Sequence, residues 1–155
     1  MAEHRATIEW ETAATAADFV KGRYSREHAW SFDGGVTVPA SPSPSVVAAP
    51  WSNVASVDPE EAFVAAVASC HMLTFLYVAA KAGFAVAGYR DVAVGVMTKN
   101  ERGTPWISKI TLTPDIIYSD KIPSAAELDA LHHAAHEGCF IAASIKTEVV
   151  IATPS

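Results

Sequence analysis

Two cysteines, Cys70 and Cys139, carry the most reactive side chains of this 155-residue chain. A deprotonated thiol is a nucleophile, and a second thiol nearby can close its oxidised product, a sulfenic acid, into a disulfide. Both cysteines lie in apolar surroundings, so they could pack near each other in one core. The same surroundings suit two unreactive core cysteines, because a buried cysteine often acts only as a small apolar side chain.

Cys70 lies in the middle of a predicted helix over residues 58–83 that carries no charged residue between positions 62 and 80. Apolar surroundings disfavour a charged thiolate. The helix dipole cannot help, because it acts only over the first turn. A reactive Cys70 therefore requires a cation from another part of the fold. The candidates are Arg23, Arg26, His28, His71 and His136.

Arg26 falls on one face of a predicted strand whose other members on that face are Tyr24, His28, Trp30 and Phe32. An unpaired charge on an inward aromatic face would be costly, which makes Arg26 an attractive partner for Cys70. The more common position for an arginine is a strand edge with its guanidinium in water. Arg23 precedes the same hairpin, so the residue pattern leaves open which arginine, if either, faces the thiol.

Glu60 and Glu61 lie in the first turn of the predicted helix, directly after Asp58 and Pro59. Acidic residues stabilise a helix start, and a glutamate three residues after the capping residue completes a capping box. Glu60 precedes Cys70 by ten residues, which corresponds to about 15 Å along a helix. It can therefore act on Cys70 only through an arginine or from a second copy of the chain.

Histidines cluster before Cys139, where His132 and His136 are neighbours on a predicted helix and His136 is a neighbour of Cys139. Together with Cys70 and His71, these side chains could form a Cys/His zinc site. The spacing lacks the closely paired cysteines of structural zinc sites. We therefore expect no metal, and buried or exposed histidines are the simpler interpretation.

The net charge is −6, and no run of lysine and arginine is present, which disfavours a nucleic-acid partner. Hydrophobic residues make up 50% of the chain, and a content this high favours a buried subunit interface. The first residues contain no apolar signal segment, and two cysteines do not form a secreted disulfide framework, so we expect a cytoplasmic protein. We also expect a single domain, residues 1–155, without a cofactor, because dinucleotide and phosphate-binding motifs are absent.

The uncharged run over residues 62–80 is long enough to span a membrane. Ser69, His71 and Thr74 lie near its midpoint, where polar side chains are costly in lipid. The rest of the chain alternates as strands, which need a core to pack on. We therefore expect this helix in a protein core and no membrane partner.

The remaining pattern predicts an α+β fold with a largely antiparallel sheet around the long helix. The predicted strands are 5–11, 24–32, 36–38, 89–98, 104–118 and 144–153. Asp33-Gly34-Gly35 turns the second strand into the third, a loop covers 39–50, and 89–98 forms a long antiparallel hairpin with 104–118. A capping box over 124–127 begins a second helix.

Together these motifs resemble the OsmC/Ohr family of thiol peroxidases, and in particular its OsmC-like branch. The layout matches over nearly the whole chain. The motifs are Asp58-Pro59-Glu60-Glu61, Ala-Ser-Cys70-His71-Met72, Ala135-His136-x-x-Cys139-Phe140 and Ser144-x-Lys146-Thr147-Glu148-Val149.

The resemblance implies an OsmC-like fold in an intertwined homodimer, with antiparallel sheets of both chains wrapped around long buried central helices and active sites at the interface. It also implies reduction of organic hydroperoxides to alcohols without a metal or cofactor. By motif match, Cys70 corresponds to the peroxidatic cysteine and Cys139 to the resolving cysteine. Glu60 matches the glutamate of the Pro-Glu motif and Arg26 the family's arginine, which Glu60 would orient. An external thiol or a dihydrolipoyl protein would reopen the disulfide.

The side chains expected to line this site favour an alkyl or acyl peroxide over hydrogen peroxide. They are Trp30, Phe63, His71, Phe75 and His136. Two alternatives stay open. One is a non-enzymatic stress or binding protein of the same fold whose cysteines stay reduced, and the other is the Cys/His zinc-binding protein.

Overall fold

The computed structural model describes residues 1–152, in which the chain divides into two compact units at the boundary between residues 62 and 63. The first unit contains an antiparallel sheet of β1 (Ala6–Glu9), β2 (His28–Phe32) and β3 (Thr37–Ala40), in that order. The turn at Asp33-Gly34-Gly35 joins β2 to β3, and Gly35 has a φ of 83°, which favours glycine. The predicted early hairpin is confirmed.

The segment between β1 and β2 differs from the prediction. It contains a short helix, α1 (Ala16–Phe19), whose start is capped by the Thr15 side chain. The predicted strand over 24–32 begins only at His28, so Arg26 lies before the strand and not on its face. The physical reason is a non-local bond, since the backbone N–H of Arg26 donates to Trp51 O at 3.1 Å.

The predicted proline-rich loop follows β3 and is fastened by a buried serine. The backbone N–H of Ser41 donates to Val57 O at 3.0 Å, and the Ser41 hydroxyl accepts from Asn53 N at 2.8 Å. Pro39 belongs to β3, where it pairs with Ala29. β3 is an edge strand, where a missing backbone N–H is tolerated.

The long helix α2 (Pro59–Lys81) forms as predicted, with both ends set by the local sequence. At its start, Glu61 N donates to Asp58 Oδ1 at 2.7 Å and Asp58 N donates to Glu61 Oε2 at 3.2 Å, a reciprocal capping pair. At its end, Gly83 adopts a φ of 83° and Phe84 N donates to Ala79 O at 2.9 Å. This glycine-dependent stop is the Schellman motif.

The expectation that α2 lies in a protein core is met on only one face of the helix within one chain. Its buried residues, Val67, His71, Phe75 and Ala79, recur every fourth position and therefore form one face. Leu73 and Tyr77 are 61% and 63% exposed. By length and composition alone α2 could also cross a membrane, a test that a core helix of a soluble protein passes as well.

The second unit contains the predicted long hairpin, with each arm divided into two strands. The arms are β4 (Val86–Asp91) with β5 (Val94–Lys99), and β6 (Pro105–Leu112) with β7 (Pro114–Tyr118). β4 pairs with β7 and β5 with β6, and the register continues across the break. At the break, Asp91 Oδ1 accepts a hydrogen bond from the backbone N–H of Thr113 on the opposite arm.

The second helix, α3 (Ala125–Glu137), has the predicted capping box between Ser124 and Glu127. A short 3₁₀ turn (Ala142–Ser144) and β8 (Glu148–Ile151) follow. The predicted strand over 144–153 is therefore shorter, and Thr153 lies outside the described residues. β8 pairs with β6 in parallel, so this sheet is mixed. The other four strand pairs of the described residues are antiparallel, in agreement with the prediction of largely antiparallel pairing.

Two apolar clusters form the core of the second unit. One joins α2 to α3 and the β4–β7 pair through Phe75, Ala79, Phe84, Leu131 and Ala135. The other joins α2 to β6 through Val67, Ile110 and Leu112. Both use the same face of α2, which fixes the helix against the hairpin and α3. The elements form the predicted α+β fold.

Gly95→Ala tests the close approach of β5 to α2. A Cβ at Gly95 would lie 2.6 Å from Val64 Cγ2, and a β-branched side chain on a helix cannot easily rotate away. We expect a loss of about 1–3 kcal/mol in the free energy of unfolding, measured by urea denaturation.

Gly34→Ala is the matched control, because nothing lies within 4 Å of the added Cβ there. The double variant Val64→Ala/Gly95→Ala removes the clashing methyl groups and should lose less stability than the two single losses combined. Equal losses for Gly95→Ala and Gly34→Ala would contradict the packing argument.

Candidate functional site

The two cysteines, distant in sequence, are brought together by α2 and the end of α3. Neither is in a disulfide. Their thiols lie close enough to interact, and this interaction with Cys70 helps to raise the pKa of Cys139. Cys70 is half-buried, whereas Cys139 is 1% exposed. A small reactant from solvent therefore has better access to Cys70.

A glycine allows Cys139 to reach α2. Gly138 keeps helical backbone angles at the end of α3, and Cys139 N donates to His136 O at 3.2 Å, so Cys139 continues the last turn. A Cβ at Gly138 would lie 2.9 Å from Thr74 Cγ2, one helical turn after Cys70. The absence of that carbon lets the end of α3 approach the Cys70 turn of α2.

The electrostatic surroundings distinguish the two thiols. Burial raises the pKa of the Cys139 thiol, and so does its interaction with Cys70. The backbone N–H of Ala142 donates to Cys139 Sγ at 3.4 Å and opposes this shift. Cys139 therefore holds its proton and is poorly suited to make the first attack on an oxidant.

A buried pair of histidines joins the same two helices. His71 Nε2 and His132 Nδ1 are 3.1 Å apart, and the two rings are stacked with centroids 5.4 Å apart. Burial lowers the pKa of His71 to about 4, and His132 and His136 add to this effect. Burial also lowers the pKa of His132, against an opposing contribution from Asp129. Both imidazoles are therefore neutral near pH 7, and one nitrogen donates to the other.

The zinc interpretation finds no support from the arrangement of these side chains. Across residues 1–152, no group of three or more His, Cys, Asp or Glu side chains is placed to hold a metal ion. His71 and His132 direct nitrogens at each other, whereas ligands direct them at a common ion. The buried-histidine interpretation describes His71 and His132 better.

Arg26 lies in the first unit, half-buried, and its guanidinium is held by local groups. Nη1 donates to Tyr24 O at 3.0 Å, and the guanidinium carbon lies 4.0 Å from the centre of the Tyr24 ring. It forms no ion pair among the described residues. Arg23, by contrast, is exposed and forms an ion pair with Asp18 at 2.8 Å. Of these two arginines, Arg26 is therefore the one without a carboxylate partner among the described residues, so it could pair with another anionic group.

Glu60 is half-buried in the first turn of α2. One carboxylate oxygen, Oε2, is buried without a hydrogen-bond partner in the described part of the chain. No ion pair joins Glu60 to Arg26 within the first unit. A buried carboxylate oxygen without a donor is costly. Within the described part of one chain, no residue donates a hydrogen bond to this oxygen of Glu60.

An open hollow of about 450 Å³ lies beside Arg26 within the first unit. Its lining residues are Ile8, Trp10, Phe19, Tyr24, Arg26, His28, Pro42 and Pro59. Phe19 stacks on Tyr24 at 4.5 Å and Trp10 meets the edge of Tyr24 at 5.6 Å. Sequence reasoning missed Trp10 and Phe19 as lining residues, although Ile8 and Trp10 share one face of the alternating pattern that predicted β1.

The other predicted lining residues lie in different environments. Trp30 is half-buried on β2, Phe63 packs against the Val67 cluster, and Phe75 is fully buried beside His132. His136 is half-buried, and its Nδ1 has no hydrogen-bond partner in the described part of the chain. Their role in lining a peroxide site stays a prediction.

The neutral His71 predicts a loss of stability in acid. Its pKa is about 4 in the folded protein and 6.5 when unperturbed, so the unfolded chain binds the proton first as the pH falls. The contribution of the neutral His71 to the free energy of unfolding is complete above pH 6.5 and is lost progressively as the pH falls to about 4. The total loss over this range is roughly 3 kcal/mol. We expect His71→Gln to reduce the slope of unfolding free energy against pH in this range. Equal slopes for both proteins would contradict the lowered pKa.

The sequence and structure were compared with known proteins. No curated protein matches. An OsmC-like protein of unknown function from Vibrio cholerae is 47% identical, with a TM-score of 0.93 over 99% of this chain and 100% of that one.

Two further structures are similar in fold at low identity. The organic hydroperoxide resistance protein OsmC of Legionella pneumophila is 14% identical, with a TM-score of 0.74 over 100% of this chain and 98% of that one. The organic hydroperoxide resistance protein OhrB of Bacillus subtilis is 19% identical, with a TM-score of 0.71 over 98% of each chain. The family model of the OsmC-like proteins matches residues 53–153, a span that contains both cysteines and Glu60. This chain belongs to the OsmC-like protein family.

Proposed function

We propose that this protein is a thiol-dependent peroxidase that reduces organic hydroperoxides to alcohols. The observation that carries the proposal is that Cys139 lies close enough to Cys70 to interact with it, where the end of α3 approaches α2 at Gly138. Two neighbouring thiols can form a disulfide, which is the product expected of a nucleophilic and a resolving cysteine. The names of the Legionella and Bacillus proteins, which refer to organic hydroperoxide resistance, support this choice of substrate.

In the first step, the Cys70 thiolate attacks one peroxide oxygen and the O–O bond breaks. The alkoxide takes up a proton and leaves as the alcohol, and Cys70 becomes a sulfenic acid. In the second step, the Cys139 sulfur attacks Cys70 and the S–O bond breaks. The proton of Cys139 and the leaving hydroxide form water, and a disulfide remains. An external thiol or a dihydrolipoyl protein then reduces the disulfide by exchange.

The burial of the two thiols supports this division of roles. Cys70 is half-buried and is therefore accessible to a small peroxide, whereas Cys139 is almost fully enclosed and holds its proton. A resolving cysteine has to be shielded from the oxidant until the sulfenic acid forms beside it. The enclosed Cys139 meets this requirement.

Arg26 and Glu60 are assigned as the groups that activate Cys70. The uncharged stretch of α2 around Cys70 offers the thiolate no cation, so an arginine has to be supplied from elsewhere. Arg26 has no ion-pair partner among the described residues, and the buried Glu60 oxygen has no donor. Arg26 therefore lacks an anionic partner and Glu60 lacks a hydrogen-bond donor, and each residue could supply what the other needs. In the proposal, a second subunit contributes to this Arg26–Glu60 pair.

The proposal includes a homodimer in the cytoplasm. The exposed apolar side chains of α2, such as Leu73 and Tyr77, need to be covered from water, and a second copy of the chain would cover them.

The proposed substrate is an alkyl or acyl hydroperoxide, because an apolar peroxide site suits it better than hydrogen peroxide. Equal rate constants for hydrogen peroxide and a bulky hydroperoxide would contradict the substrate assignment.

Intact mass after one equivalent of cumene hydroperoxide tests the reaction. We expect the wild-type protein to lose two hydrogens per chain, because a disulfide forms. Cys139→Ser should instead gain one oxygen, trapped as a dimedone adduct, because the sulfenic acid persists. Cys70→Ser is the matched control and should not react. An unchanged wild-type mass would rule out the peroxidase and favour the non-enzymatic alternative.

Peroxidase kinetics on arginine variants test the activating residue. Arg26→Ala should lower the second-order rate constant for the hydroperoxide on the order of 10²-fold, a typical loss for an electrostatic group at the reacting atoms. Arg23→Ala, which removes only the surface pair with Asp18, should change it by less than about twofold. Activity lost only in Arg23→Ala would show that the assignment is wrong.

A further inference from the structure

The buried histidine pair occupies a special position between the helices that carry the two thiols. His71 follows Cys70 directly on α2, and His132 lies on α3 two helical turns before Cys139. Among the residues that the structure describes, their bond at 3.1 Å is the only side-chain hydrogen bond that joins α2 to α3. The position of α2 relative to α3 along the helix axes also determines the position of the Cys70 sulfur relative to the Cys139 sulfur.

The pair is enclosed and its rings are held in place. His71 is 1% exposed and His132 is 6% exposed. The rings are nearly parallel, at 14° to each other, and Phe75 packs against His132 with ring centroids 4.6 Å apart. Loss of one imidazole would leave a buried polar nitrogen of the other without a partner, a costly state for the folded protein.

The apolar contacts between the same helices do not specify the register as sharply. They involve Phe75, Ala79, Leu131 and Ala135, and apolar packing is non-directional. A hydrogen bond requires a donor–acceptor distance near 3 Å and an aligned N–H. Directional bonds of this kind are the means by which a buried polar pair specifies a unique arrangement.

We propose that the His71–His132 hydrogen bond aligns Cys70 and Cys139 for disulfide closure, which makes both histidines positioning residues of the resolving step. In that step the S–S bond forms, the S–O bond of the Cys70 sulfenic acid breaks, and the Cys139 proton leaves with the hydroxide as water. The reaction needs the attacking sulfur in line with the S–O bond. The preceding attack on the peroxide does not involve Cys139 and is therefore independent of this alignment.

This inference rests on the proposed function for its peroxide-driven step, but the alignment of the thiols can also be measured without peroxide. The Cys70–Cys139 disulfide equilibrates with a glutathione redox buffer, and its reduction potential depends on how well the two sulfurs are held together. If the peroxidase assignment is wrong, the reaction with peroxide fails. If the positioning role is wrong, the reduction potential of the disulfide stays unchanged in the histidine variants.

The test uses two sets of variants. His71→Leu and His132→Leu replace the ring by an apolar side chain of similar size and abolish the hydrogen bond. His71→Gln keeps a nitrogen near the position of Nε2, and His132→Asn keeps one near Nδ1, so these amides can preserve it. The matched control is His133→Leu, which changes an exposed histidine of the same helix.

Rapid-quench mass spectrometry with cumene hydroperoxide measures both steps. In both leucine variants we expect closure to slow about tenfold. In His132→Leu, sulfenic acid should form within about twofold of the wild-type rate, because His132 is not among the residues expected to line the peroxide site. The glutathione titration should show a disulfide about 30 mV easier to reduce, which corresponds to a tenfold change in the equilibrium constant. The amide variants and His133→Leu should stay within about threefold of the wild-type closure rate.

Each outcome supports or overturns the inference. Unchanged closure and potential in folded leucine variants would overturn it, and so would amide variants as slow as leucine variants, because the role would then be packing. A shifted potential in a protein that does not react with peroxide would support positioning and refute the peroxidase. If the leucine variants do not fold, His71→Asn, whose amide lies near Nδ1 and away from His132, replaces them in comparison with His71→Gln.

Discussion

The structure depends on the packing of the end of α3 against one face of α2. That face presents Phe75 and Ala79 to the side chains of α3, and Gly138 omits the carbon that would collide with Thr74. Because the helices approach so closely, Cys139 reaches the turn of α2 that carries Cys70. The thiol contact is thus a consequence of helix packing, and it would be lost with a shift of one turn along either helix.

Burial sets the charge state of this region. It keeps the proton on Cys139 and keeps both His71 and His132 neutral, so the interface between the helices contains polar groups without net charge. A neutral hydrogen-bonded pair is compatible with an apolar core, whereas an isolated charge is not. The charge that the proposed chemistry requires is found instead in the first unit, at Arg26 and Glu60.

Elements with local causes were predicted correctly from the sequence. The capping residues at Asp58 and Ser124 and the stop at Gly83 set the ends of helices, and the Asp33-Gly34-Gly35 turn sets the early hairpin. The residue pattern missed features that depend on distant parts of the chain. β8 pairs in parallel with β6, and Arg26 leaves its predicted strand because its backbone binds Trp51. Neither partner is adjacent in sequence, and periodicity carries no information about such pairings.

The sequence by itself determined the chemical groups, their helical spacing and the resemblance to the OsmC/Ohr family, which the match to the OsmC-like family model confirms. It also showed that Glu60 is too far along α2 to act on Cys70. Only the tertiary structure decided that the two thiols come close together and that His71 pairs with His132. The physical reason is that each of these depends on side chains brought together by packing, and packing is set by the whole fold and not by neighbours in the sequence.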